Sequence, residues 1–121
     1  MKRHEHSQRS YSRMARVNEL VREILADELE RMDDDRLELV TVTHVEVEPD
    51  LRHAQVKFSS LGEREDEARE ALVENRVRLQ RAIARQAHLK RTPELAFGVD
   101  DVIARGLRIE ELLREDPGYA D

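Results

Sequence analysis

Between Asn75 and Pro93 the sequence carries six basic residues, Arg76, Arg78, Arg81, Arg85, Lys90 and Arg91, and no acidic one. Set on a helix, Arg78, Arg81, Arg85 and His88 follow spacings of three, four and three and share one face. Leu79, Ile83 and Ala87 then point about 100° away, toward a core. Charge is therefore sorted from packing. No carboxylate inside the segment can neutralise these arginines at i±4, which favours an external anion. Lys90 and Arg91 extend the patch into the stretch before Pro93. A polyanion with regularly spaced phosphates is the natural partner, each neutralised phosphate adding to a salt-dependent affinity. Two other readings stay open: a solvated, salt-bridged surface, and a protein-interaction adaptor whose basic helix docks on an acidic partner protein.

Other chemistry finds little to stand on. The chain has five histidines but no HExxH spacing, so no pair of ligands shares a helical face, and no metal site is expected. The four glycines are isolated, no phosphate loop ending in GK[ST] occurs, and there is no GxSxG turn. Without cysteine, a thiol nucleophile, a thiolate metal site and a disulfide framework are all excluded. Asp33, Asp34 and Asp35 are adjacent in a turn instead of facing each other across a cleft. No catalytic residue, cofactor or small-molecule substrate is expected. Phe58, Phe97, Tyr11 and Tyr119 are the only aromatic residues, too few for a base-stacking platform.

Composition sets the frame for the basic segment. The formal net charge is −6, with 40% charged residues and 39% hydrophobic, which indicates a compact core under a densely charged surface. That sum hides a segregation: Met1 to Asn18 holds five basic residues against Glu5 alone, and the remainder outside the two basic stretches is acidic. No stretch approaches the roughly 20 apolar residues needed to span a bilayer, and the N-terminus lacks the apolar segment of a secretory signal. A cytoplasmic protein with no membrane partner is expected.

The elements that must position these residues follow from periodicity. Val17, Leu20, Val21, Ile24, Leu25, Leu29 and Met32 recur at helical spacing, so a helix is predicted from Arg13 to about Met32, with Ser12 able to cap it. The acidic run at Asp33 opposes the negative end of the helix dipole and marks a stop. Leu39 to Glu48 and Arg52 to Leu61, separated by Pro49, Asp50 and Leu51, read as a β-hairpin. Ala54, Val56 and Phe58 alternate with His53, Gln55 and Lys57 in the second strand, whereas Val40, Val42, Val45 and Val47 change parity, leaving the first strand's register open. After Gly62, acidic residues to Glu67 suit the first turn of a helix whose stripe runs through Ala68, Ala71, Leu72, Leu79, Ala82 and Ile83. Asn75 interrupts it and marks a kink or a break. Glu94 to Val99 is a third strand, and Asp100 or Asp101 caps a final helical segment from Val102 to Leu113. The result is an α+β fold: one domain in which a three-stranded sheet carries helices on one face.

The stretches LVTVTHVEVEPDLRHAQVKFSSLG, TPELAFGVDD and ARGLRIEELL, with RVNELVREILADEL upstream and DDDRL between, resemble the bacterial ribosome-binding factor A family over about Arg13 to Arg114. The resemblance implies a type II KH-like fold in the order α-β-β-α-α-β, with a C-terminal helical segment. It also implies a non-catalytic assembly factor that binds immature small (30S) ribosomal subunits, contacts their 16S rRNA, and supports late rRNA processing and growth in the cold. The family replaces the KH GxxG loop with a small-x-glycine kink. The matching residues here are Asn75, Arg76 and Val77, so the glycine is absent.

Carried over residue by residue, Arg76, Arg78, Arg81, Arg85, Lys90 and Arg91 are expected to contact RNA, with Arg13 and Arg16 extending the footprint. Asp35 and Arg36 match a family turn and are expected to form a local ion pair. Residues 1–12 are expected to form a flexible basic arm, 13–114 the KH-like domain and 115–121 an acidic tail. One exposed sheet edge and no spare apolar stripe favour a monomer.

Overall fold

The computed structural model describes the backbone of residues 2–102 and 113, and the side chains of residues 13–102 and 113. Helix α1 spans Lys2–Glu30, starting well before Arg13. Lys2 to Ser12 contains neither glycine nor proline, so no backbone chemistry halts the helix there, and Ser12 lies inside it instead of capping it. Val21, Ile24, Leu25 and Leu29 form its buried stripe. Each buried side chain of this size is worth about 1.5–3 kcal/mol, so packing adds more than the few tenths per residue that propensity supplies in fixing the helix. After Glu30 the chain tightens, with Arg31 and Met32 amides donating to Glu28 and Leu29 carbonyls, and enters a single 3-10 turn at Asp35–Leu37.

Strands β1 (Val40–Val47) and β2 (His53–Ser60) pair antiparallel, and β3 (Glu94–Val99) pairs parallel to β2, giving the order β1-β2-β3. Central β2 buries Ala54, Val56 and Phe58 against the helices. The parity change in β1 is a β-bulge: Val42 faces Phe58 and His44 faces Lys57, so Thr43 is the extra residue. Thr43 Oγ1 lies 2.6 Å from Asp100 Oδ2 and 3.3 Å from the Lys57 carbonyl, tying the bulge to the end of β3. Between the strands, Leu51 adopts φ +63° and its amide donates to the Glu48 carbonyl at 2.8 Å, closing the hairpin turn.

A parallel pair requires a crossover, and α2 (Glu65–Glu74) and α3 (Arg76–Gln86) supply it. Glu65, Asp66 and Glu67 occupy the first turn of α2, where they complement the helix dipole. Asn75 alone separates the two helices. Its backbone sits at φ −99°, ψ 13°, and its amide and its side-chain Nδ2 both donate to the Ala71 carbonyl, at 3.1 and 2.8 Å. Because φ is negative, this break is open to a residue with a side chain, and Val77 is simply an exposed residue of α3. All three helices lie against one face of the sheet's core, α1 contacting β1 and α3. Beyond β3, Asp100 Oδ1 accepts from the Val102 amide at 3.1 Å as the chain turns helical at Asp101 and Val102. The expected helix from residue 103 and the tail at 115–121 lie outside the described residues, apart from residue 113.

Candidate nucleic-acid interface

Helix α3 fixes its cations by burying Leu79, Ala82 and Ile83. That leaves Arg81 and Arg85 exposed on its outer side. Arg78 is different. Its Nε donates to Oε1 of Glu28 on α1 at 3.0 Å, and the Glu28 carboxylate is otherwise enclosed, with Arg31 Nη1 3.7 Å from its second oxygen. No carboxylate within the segment pairs with these arginines, as expected; the group that neutralises Arg78 comes from another helix, beyond the reach of i±4 spacing. His88 is also displaced from the expected stripe. The helix ends at Gln86, and His88 sits at φ +52°, turning the chain out of α3.

Lys90 and Arg91 are exposed in the connection to β3, and Arg13 and Arg16 are exposed on α1. Among the described residues, no carboxylate lies within ion-pair distance of Arg13, Arg16, Arg76, Arg81, Arg85, Lys90 or Arg91. Arg76, the first residue of α3, is half-buried, and its Nε has no hydrogen-bond partner.

Arg76 and Arg91 line one open recess, of roughly 470 Å³, together with Arg52, which sequence reasoning did not single out. The parallel pairing brings Arg52 there, since the Glu94 amide donates to its carbonyl at 2.9 Å. Gln80, also in the lining, ties α3 to β3, its Oε1 accepting from the Leu95 amide at 3.1 Å. The signal that could have found Arg52 is its place one residue before the strand that receives β3, a long-range fact without any local motif.

The acidic turn is structural in its geometry. Asp34, not Asp35, pairs with Arg36: its Oδ1 accepts from the Arg36 amide and Nε, both at 3.0 Å, and Oδ2 from Nη2 at 2.7 Å. The same Nη2 reaches Glu74 Oε2 at 2.7 Å, clamping the turn to the end of α2. These hydrogen bonds from Arg36 hold both carboxyls below their ordinary range and raise the guanidinium's own pKa. Among the described residues there is no group of three or more histidine or carboxylate side chains able to hold a metal ion, and no helix long and apolar enough to cross a membrane.

A family profile described as Ribosome-binding factor A matches residues 13–113. The chain belongs to the ribosome-binding factor A family. The ribosome-binding factor A of Rubrobacter xylanophilus is 43% identical over 111 residues, covering 90% of this chain and 91% of that protein. The Nitrosococcus oceani ribosome-binding factor A is 39% identical over 92% of this chain and 94% of its own length. In three dimensions, the crystal structure of ribosome-binding factor A from Thermus thermophilus superposes with a TM-score of 0.68 at 31% identity, over 71% of this chain and 94% of that one. The Thermus thermophilus ribosome-binding factor A coordinates fitted into a cryo-electron-microscopy map of a 30S complex match with a TM-score of 0.57 at 33% identity, over 65% and 86% of the two chains. The fold is KH-like, in the order α-β-β-α-α-β expected of the ribosome-binding factor A family.

Proposed function

We propose that this chain is a non-catalytic ribosome assembly factor. It binds immature 30S subunits in the cytoplasm through their 16S rRNA and supports late rRNA processing, including in the cold. The observation that carries this reading is the exposed series Arg81, Arg85, Lys90 and Arg91, cations without a carboxylate partner among the described residues, in a family with a relative fitted to a 30S map. Arg76 adds to this footprint from the kink at Asn75 and Val77, and Arg13 and Arg16 add to it from α1. Phosphate contacts of this kind position a protein, while the choice of site comes from RNA shape and ribosomal context. Arg78 contributes mainly by holding α3 on α1, so it orients the surface more than it composes it.

The test is co-sedimentation of the tagged protein with small subunits on a sucrose gradient. Wild type is compared with a variant in which Arg81 and Arg85 are changed to glutamate and Arg78 is left intact. Co-migration that is lost in the variant supports RNA-mediated association. Association that survives the charge reversal and nuclease digestion of exposed RNA would replace this reading with docking on a protein partner.

A further inference from the structure

The recess bounded by Arg52, Arg76 and Arg91 is lined by polar and charged residues only, His53, Gln80, Thr92 and Glu94 completing it. Three arginines line one space, and the buried Nε of Arg76 has no hydrogen-bond partner. The lining includes one carboxylate, Glu94, with its Oε2 3.9 Å from His53 Nε2. His53 Nδ1 is in turn 3.4 Å from Glu48, and Arg52 Nε is 3.8 Å from Asp50, so both of these rim contacts are loose and exposed. Gln80 spends its amide oxygen on the Leu95 backbone, which leaves its amide nitrogen to donate. With the Thr92 hydroxyl, donors outnumber acceptors in the lining, where Glu94 is the one carboxylate.

The chemistry such a lining suits is an oxyanion, because guanidinium forks bind carboxylate and phosphate oxygens in pairs, and the RNA-binding reading selects phosphate. A small organic ligand would need an apolar, enclosed site, and this recess offers neither. Exposed Lys90 directly precedes Arg91 in the chain, and its charge suits a strand carrying further phosphates. We infer that this recess seats one backbone phosphate of an RNA strand between Arg52, Arg76 and Arg91. The inference rests on the RNA-binding reading above and adds to it a defined pocket and a residue from the hairpin turn.

The full-length protein is titrated with inorganic phosphate and, separately, with a short single-stranded oligoribonucleotide, following the arginine Nε–Hε signals by NMR. Saturable shifts of Arg52, Arg76 and Arg91 are expected, at concentrations at least tenfold lower for the oligoribonucleotide. In parallel, the exposed variants Arg52→Gln and Arg91→Gln should each weaken small-subunit binding by about fivefold, the net worth of one solvent-exposed hydrogen bond. Together they should lower the salt slope by about 0.7, the value of one phosphate on a single strand. Unmoved signals, or wild-type subunit binding by both variants, would overturn the inference. Equal affinity for phosphate and oligoribonucleotide would overturn the RNA assignment and leave an anion site only. If the recess is silent while Arg81→Glu with Arg85→Glu still abolishes subunit binding, only the recess falls. If the recess takes the oligoribonucleotide but wild-type protein ignores small subunits, the assembly-factor reading falls instead.

Discussion

Arg78 on α3 and Glu28 on α1, fifty residues apart in sequence, are joined by a hydrogen bond of 3.0 Å from Nε to Oε1. Glu28 is 5% exposed, and it is the only buried charged residue among those described. Its burial makes sense only with a cation beside it, since a dry, unpaired carboxylate is costly.

Removing Arg78 should therefore cost stability, while removing its neighbours on the outer face should not. Water still reaches the pair, because the Arg78 side chain is 48% exposed, so the penalty falls below that of a fully enclosed ion pair. Arg78→Ala is expected to lower the unfolding free energy by about 1–2 kcal/mol. Arg81→Ala should move it by less than about 0.5 kcal/mol. Urea denaturation of the two variants checks this, and equal effects would show that the Glu28 contact carries no weight. Charge reversal at Arg78 would set two carboxylates against each other, which is why the binding test leaves that residue alone.

The Arg36 clamp predicts a pH dependence. Asp34 and Glu74 are held below their ordinary values of about 3.8 and 4.5 by hydrogen bonds from Arg36. A depressed folded pKa means that the unfolded chain takes up protons first as pH falls. The clamp's contribution is thus fully present above about pH 4.5 and is lost as pH drops through the lowered folded values. The gap in melting temperature between wild type and Arg36→Met should stay constant from pH 5 to 7 and close below pH 4. A gap that is unchanged in acid would refute the linkage.

His88 occupies a left-handed backbone position, φ +52°, just after the end of α3. Glycine avoids the Cβ clash of that region, although it gains freedom in the unfolded chain. His88→Gly is expected to raise stability by about 0.5–1 kcal/mol, seen as a higher midpoint in thermal unfolding. A lower midpoint would mean that the imidazole makes a contact of greater worth than the strain.

Strand β2 is readable from sequence because Ala54, Val56 and Phe58 sit on a strict two-residue period and all three are buried. Strand β1 is not, since the extra residue at Thr43 shifts the valines from one parity to the other and leaves no local mark of doing so. The break at Asn75 is visible as a polar residue in an apolar stripe. The N-terminal limit of α1 is hidden because polar helix and polar coil share one composition. The candidate interface divides in the same manner. Arg81 and Arg85 are placed by helical spacing alone, but the partner of Arg78 is on another helix, beyond any search at i±4. Arg52 reaches Arg76 and Arg91 only through parallel pairing of β2 with β3, which no neighbouring residue announces.

The acidic start of α2 bears on selectivity. Asp66 and Glu70 are exposed, and Glu67 is held by Arg64 at 2.8 Å. In a protein whose formal charge is −6, such residues repel phosphates that approach from anywhere but the basic face. Changing Asp66 to Asn and Glu70 to Gln should tighten binding to unrelated RNA about two- to fivefold at low salt, and by less as screening grows. Fluorescence anisotropy with a labelled random RNA would decide it, and unchanged affinity would remove the acidic surface from the account of specificity.

The bulge at Thr43 has a bearing on solubility. It lies in β1, an edge strand whose outer side has no neighbouring strand among the described residues. A regular edge offers an even row of amide donors and carbonyl acceptors on which a foreign chain can align and nucleate aggregates. The extra residue breaks that row near its middle and twists the strand away from flatness, so an incoming strand could match only one half of it. The irregularity that conceals the hairpin's register thus also makes this edge a poorer template for other chains.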